Sequence, residues 1–209
     1  MRRSAWQLAF GLALVLLPAG FPKAALPKHS LEPEAATLTG QLLVASQRIG
    51  DPSFHRTVIL LIRHSGKDGS FGITINRPVG QQPLAKVLDA LGIKDASVAG
   101  SVVVFAGGPV ERKLGIVVHT AEYELADTIH INGEVAATTS REILDDIARS
   151  KGPHKMLLAF GYAGWGPGQL ENELARGDWF VVPSDPALIF DEPRDRVWHE
   201  AMARRPQGR

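Results

Sequence analysis

The residues that could do chemistry in this sequence are few and scattered. His64 closes the run "TVILLIRH" and His119 closes "LGIVVHT". An imidazole at a strand end can act as an acid or base near neutral pH. It can equally do no more than hydrogen-bond a loop carbonyl. Asn76 stands before Arg77-Pro78, where its amide suits a turn. Gly107-Gly108-Pro109 could aim backbone amides at an oxyanion, or simply turn the chain after a buried strand. The stretch "GYAGWGPGQLENE", 161–173, sets Tyr162 and Trp165 among four glycines and a proline, and Gln169 follows. Glycine lets a ring lie flat on backbone, so both rings are expected to anchor a turn between a strand and a helix. Glu171 and Glu173 fall in the first helical turn, where the macrodipole favours carboxylates. At i, i+2 they face different ways and do not form an acid–base pair.

Local catalytic signatures are missing. There is no Walker phosphate loop, G-x-G-x-x-G run, H-E-x-x-H or G-x-S-x-G elbow. No two of the seven histidines stand at i, i+3 or i, i+4, and the chain has no cysteine, so no local metal site or thiolate nucleophile is expected. The expectation is no metal, no cofactor and no local catalytic machinery.

The elements that must position these residues follow from periodicity. Strands are expected at 41–45, 57–64, 71–76, 101–105, 115–119, 128–132, 155–160 and 179–182. Leu84, Val87, Leu88 and Leu91 mark a helix that stops at Gly92. "TSRE", 139–142, reads as a capping box for a helix ending near Arg149. Further helices are expected from Pro167 to Arg176, stopped by Gly177, and after Pro193. Hairpins and helices interleave without regular βαβ units, which gives an α+β class in one domain. The strands ending at Phe105 and Phe160 each run into a glycine turn. If they are parallel neighbours, the two turns share one sheet edge. A shallow site for an anionic group or a partner's loop is then expected there, with Gln169 and Asn76 as polar members and Trp165 as its wall.

The termini differ from this domain. Arg2-Arg3 precede an apolar run from Ala5 to Leu17, the pattern of a signal peptide or membrane anchor over 1–25. Lys23 sits at the −3 position of Lys23-Ala24-Ala25, which weakens the cleavage signal and leaves an uncleaved anchor open. The expectation is an exported (periplasmic) or membrane-associated protein; the alternative is a cytoplasmic one. Residues 26–39 read as a linker, 40–201 as the domain and 202–209 as a basic tail. Residues 40–201 carry 16 Lys/Arg against 20 Asp/Glu. That acidic balance lacks the basic stripe that nucleic acid requires.

Seven segments in order, "GDPSFHRTVILLIRH", "GITINRP", "GGPV", "LGIVVHT", "TTSREIL", "GYAGWGPGQLENE" and "PSDPALIF", resemble the AlgH/YqgE family across about 40–201. The resemblance implies a branched mixed sheet partly closed into a small barrel and surrounded by helices. It implies no known activity; the family's members are described as regulators, and most look cytoplasmic. This sequence departs from the family pattern in its leader, in Ser46-Gln47 and in Arg63. The expected function is a non-catalytic binding or regulatory protein. A hydrolase-like enzyme with a site at strand ends is one alternative, and a transcriptional regulator is another that the acidic domain disfavours. A fusion of residues 1–40 to a reporter active only outside the cytoplasm is expected to be active; a stably expressed but silent fusion would overturn the export reading.

Overall fold

The apolar part of the run "TVILLIRH", through Ile62, has no polar face because both of its faces are covered. The run forms the centre of strand β2, Val58–Ser65, between β1, Leu42–Ala45, and β3, Gly69–Thr74. Side chains alternate across a strand. Leu42, Val44, Val58, Leu60 and Ile62 therefore join one core cluster, and Leu43, Ala45, Ile59 and Leu61 join another. A computed structural model describes residues 37–92 and 98–205, which fall within one compact unit. The expected leader, most of the linker and residues 206–209 of the tail lie outside the described residues.

The remaining elements are β4, Pro78–Pro83; α1, Leu84–Ala90; β5, Ser101–Ala106; β6, Val110–Thr120; β7, Ile129–His130; β8, Val135–Thr138; α2, Glu142–Ala148; β9, Met156–Trp165; α3, Gln169–Arg176; β10, Trp179–Val182; and α4, Val197–Ala203. The main path of the sheet runs β10-β1-β2-β3-β9-β6-β8-β7. It curls into a half-barrel with helices around it, a mixed α+β fold. The face carrying Leu42 and Leu60 is filled by Leu188, Ile189, Val197 and Trp198 from the C-terminal segment. Leu170 of α3 packs on the opposite face, while α1 and α2 cover Val104, Val117 and Leu158.

The sheet forks at β9. Leu158–Phe160 pair in parallel with Val104–Ala106 of β5, and Ala163–Trp165 pair with Ser70–Gly72 of β3. Gly161, at φ +75°, is the switch between the two partners. The Gly107 amide donates to the Phe160 carbonyl at 2.8 Å, and the Gly107 carbonyl accepts from the Thr74 amide at 2.9 Å. One residue thus ties both branches together. A Cβ on Gly107 would lie 2.2 Å from the Gly161 oxygen, and one on Gly108 would lie 2.0 Å from the Tyr162 carbonyl carbon. The glycines are required by backbone lying on backbone.

Several expectations change. Residues 161–165 are not a turn: β9 continues through Trp165, and only Gly166–Gly168 turn the chain into α3. The strand persists because β3 and β6 supply partners that local sequence does not reveal. No strand is expected between 76 and the helix at Leu84, yet β4 follows directly after Arg77. It is an exposed strand paired with β5, with prolines at its two ends, as an edge tolerates. β5 itself is not fully buried: Val104 and Phe105 are inside, while Ser101, Val103 and Ala106 are exposed. β8, "VAAT", is short and alanine-rich, yet wholly buried against β6. The capping box does not form. β8 keeps the chain extended through Thr138, α2 begins at Glu142, and Ser140 Oγ accepts its amide at 3.3 Å. "PALIF" makes a single π-type turn, 187–191, closed by the Glu192 amide on the Ala187 carbonyl at 2.9 Å.

Gly161 and Gly168 test the fork. Both have positive φ, but only Gly161 is crowded, with Gly108 and Val110 oxygens at 2.5 and 2.8 Å from a would-be Cβ. Gly168→Ala is expected to cost about 1–2 kcal/mol for the left-handed backbone alone. Gly161→Ala should cost clearly more in urea unfolding; equal costs would show that the fork relaxes.

Candidate functional site

Asn76 holds a neighbour in place. Its Oδ1 accepts from the Val58 amide at 2.9 Å and its Nδ2 donates to the Arg56 carbonyl at 2.9 Å. The clamped residue, Arg56, has φ +55°, a conformation that costs a non-glycine residue free energy and needs outside support. More support comes from the short turn Pro52–Phe54, capped by Asp51 Oδ1, which accepts from the Ser53 amide at 2.8 Å. Hydrogen bonds from the Ser53 hydroxyl and amide hold the Asp51 carboxyl below its ordinary value of 3.8. A depressed carboxylate contributes stability above its unfolded value and loses it as pH falls through the folded one, so this cap is intact at neutral pH.

The Arg56 guanidinium lies over the Trp198 ring, 5.5 Å from its centroid. Trp198 is fixed by its indole N–H, which donates to the Ala45 carbonyl at 2.9 Å. Arg77 Nη2 donates to the His55 carbonyl at 2.6 Å. Arg194 Nη1 donates to the Ile189 carbonyl at 2.7 Å, and its Nη2 to that of Glu192. Burial lowers the Arg194 guanidinium from its ordinary value, with Asp191 and Glu192 opposing the shift. Arg56, Arg77, Arg194, His55 and His199 surround a polar cavity of about 350 Å³, with Asp195 as the carboxylate on its wall. Among the described residues no carboxylate lies within 4.0 Å of these three guanidiniums. Guanidiniums in this arrangement recognise oxyanions through paired N–H donors. Among the described residues no hydroxyl or thiol nucleophile lines the cavity.

The other expected site residues lie elsewhere. His64 Nδ1 accepts from the Leu38 amide at 3.2 Å, which makes Nε2 the protonated nitrogen facing Glu171 Oε1 at 3.0 Å. His119 is wholly buried, its Nδ1 donating to the Thr120 carbonyl at 3.0 Å, and its Nε2 makes no hydrogen bond among the described residues. Gly107 and Gly108 lie against Gly161 and Tyr162, so the two glycine segments do meet, but backbone fills the space between them. Gln169 Oε1 accepts from the Gly166 amide, and its Nε2 donates to Glu173 Oε1 at 2.9 Å. Trp165 is 6% exposed. Its indole and that of Trp179 each donate to Glu173 Oε2 at 2.8 Å. Trp165 and Tyr162 also border an apolar cleft of about 570 Å³ between β3, β6 and β8. Asn76 thus reaches the cationic cavity, and Gln169 and Trp165 are drawn into the packing around Glu173.

The AlgH-like family pattern matches residues 42–207. The chain belongs to the AlgH-like family. A UPF0301 protein of Methylococcus capsulatus is 40% identical over 167 residues, covering 80% of this chain and 91% of that one. A UPF0301 protein of Caulobacter vibrioides is 43% identical over 169 residues, covering 80% and 86%. The solution structure of the AlgH protein from Pseudomonas aeruginosa superposes with a TM-score of 0.71 at 36% identity, covering 84% of this chain and 92% of that one. In this AlgH-like chain the cavity forms where "GDPSFHRTV" and "INRP" meet the C-terminal helix.

Sequence reasoning missed the arginines. Arg56, Arg77 and Arg194 are far apart in the chain and share no periodicity, so only the fold assembles them. It also missed the role of Glu173; a carboxylate standing between Trp165 and Trp179 in the chain was the available signal. Trp165→Ala is expected to cost about 3–5 kcal/mol, as large core truncations do, read as a fall in the urea midpoint; an unchanged midpoint would show that Trp165 carries no packing.

Proposed function

We propose that the protein is a non-catalytic binding protein that holds a small oxyanion in the cavity between Arg56, Arg77 and Arg194. The observation that carries the reading is the concentration of cationic groups there, three guanidiniums against Asp195, in a domain whose residues 40–201 hold more carboxylates than cations. Asp191 and Glu192 also act on Arg194, but none of these carboxylates pairs directly with the three guanidiniums among the described residues, and net positive charge in a concave site is stabilised by an anion. Arg56 adds to this: a strained backbone, clamped by Asn76, fixes where its guanidinium stands. Backbone strain of this kind is held where geometry matters to function. The hydrolase alternative, which rests on His64 and His119, has less support: both stand outside the cavity and are held by other contacts, and the histidines that do line it, His55 and His199, have no hydroxyl or thiol nucleophile among its lining residues. A phosphate polymer also fits poorly, since the charge lines one recess and not a track.

Arg56→Gly separates binding from folding. Glycine adopts φ +55° without strain, which offsets the lost contact with Trp198 and the greater freedom of the unfolded chain. Stability is expected to change by no more than about 1 kcal/mol. Inorganic phosphate, titrated by NMR or calorimetry, should bind the wild type and bind Arg56→Gly roughly tenfold more weakly, as loss of one charge-assisted contact implies. A wild type with no phosphate-dependent shift in the cavity residues would overturn the proposal.

A further inference from the structure

A second recess begins where the cationic cavity ends. Arg77 lines both. The turn Pro52–Phe54 is the partition: Pro52 and His55 face the cationic side, while Ser53 and Phe54 face the other. The second recess holds about 550 Å³, and its walls are mainly apolar, chiefly Phe54, Val104, Phe105 and Phe160, with Arg112 as a second cation beside Arg77. At its rim stands Val79, 68% exposed, on the outer strand β4. Each recess has the size of a small-molecule pocket. A large valine left in water beside a phenylalanine-walled recess is a site where apolar surface remains to be covered.

The two recesses make complementary demands. The first needs negative charge, and the second needs apolar area; Arg77 fixes the junction through its bonds to the His55 and Ser53 carbonyls. Neither demand is met by a bare inorganic ion or by a neutral hydrocarbon. Resting on the anion reading above, we infer that the ligand is a small amphipathic anion, with a phosphate or carboxylate head among Arg56, Arg77 and Arg194 and an apolar chain lying past Arg77 against Phe54 and Phe105. Gly108 and Pro109 floor the recess at the foot of the fork, so the same glycine crossing that joins the sheet branches shapes the chain's seat.

The test uses the full chain and a homologous series: inorganic phosphate, then butyl, hexyl and octyl phosphate below their micelle-forming concentrations, with octanol as the uncharged control. Burial of each methylene should raise affinity about fourfold until the recess is full, and octanol should bind far more weakly than octyl phosphate. Val79→Gln, at an exposed position and adding no charge beside Arg77, should reduce the gain with chain length and leave inorganic phosphate binding unchanged. Ala106→Trp, also exposed and lining the recess, provides a second way to block it. Equal affinity across the series, with phosphate still binding, would overturn the amphiphile and leave the anion cavity standing. A gain with chain length that survives both variants would also overturn it, by placing the chain elsewhere. Chain-dependent binding that octanol shares fully, with no binding of inorganic phosphate, would instead overturn the anion reading on which this inference rests.

Discussion

Backbone lying directly on backbone at the fork of the sheet is the constraint on which this structure depends. Gly107 and Gly108 cross Gly161 and Tyr162 so closely that a Cβ on either of the first two would come within 2.2 Å of the opposing chain. The contact is secured by hydrogen bonds, since Gly107 donates to β9 and accepts from the end of β3. Remove that approach and β9 can no longer serve β5 with one half and β3 with the other. The half-barrel and the β4–β5 pair would then have no common strand. A side chain's worth of space is forfeited at the crossing, and the flanking aromatics compensate. Tyr162 packs edge-on to Phe71, with ring centroids 5.8 Å apart.

Downstream of the fork, a single carboxylate organises the next layer. Glu173 Oε2 takes both indole N–H groups, from Trp165 at the end of β9 and from Trp179 at the start of β10. The two rings meet edge-to-face with centroids 5.9 Å apart. Buried indole donors need acceptors, and a charged acceptor makes the stronger bond. The helix α3 is thereby fastened to two strands that lie apart in the sheet. His64 and Glu171 make a second fastening on the same helix. His64, which looks like an acid–base candidate in the sequence, is therefore committed to attaching α3.

The cationic cavity is built from parts stabilised by other contacts. Arg194 gives donors to the Ile189 and Glu192 carbonyls, Arg77 gives one to His55, and Arg56 rests on Trp198. These contacts align the guanidiniums without neutralising them, because carbonyls and rings accept hydrogen bonds or attract cations yet carry no net charge. Fixed positive charge beside fixed apolar walls is a preorganised arrangement, and preorganisation spares a ligand the cost of ordering the side chains that hold it.

What the sequence determined by itself was whatever depends on neighbours in the chain. The unbroken apolar run of β2 requires burial on both faces, Gly92 and Gly177 stop their helices at φ +83° and +75°, and Asp51 caps the turn after it. Ordered segments were also enough to show the AlgH-like likeness, and with it the branched sheet. The tertiary structure decided everything that depends on distant partners. Strand β9 continues past Gly161 because β3 and β6 are there to pair with it, and the exposed, proline-bounded β4 exists because β5 offers an edge. Asn76 reads as a turn former, yet its amide reaches across to Val58 and Arg56. Charge in the sequence can be summed over the domain but not located: the acidic total is correct, and three arginines far apart in the chain converge in spite of it. Periodicity reports which face of an element is apolar, whereas a site is set by where the ends of different elements arrive, and only the folded chain brings those ends together.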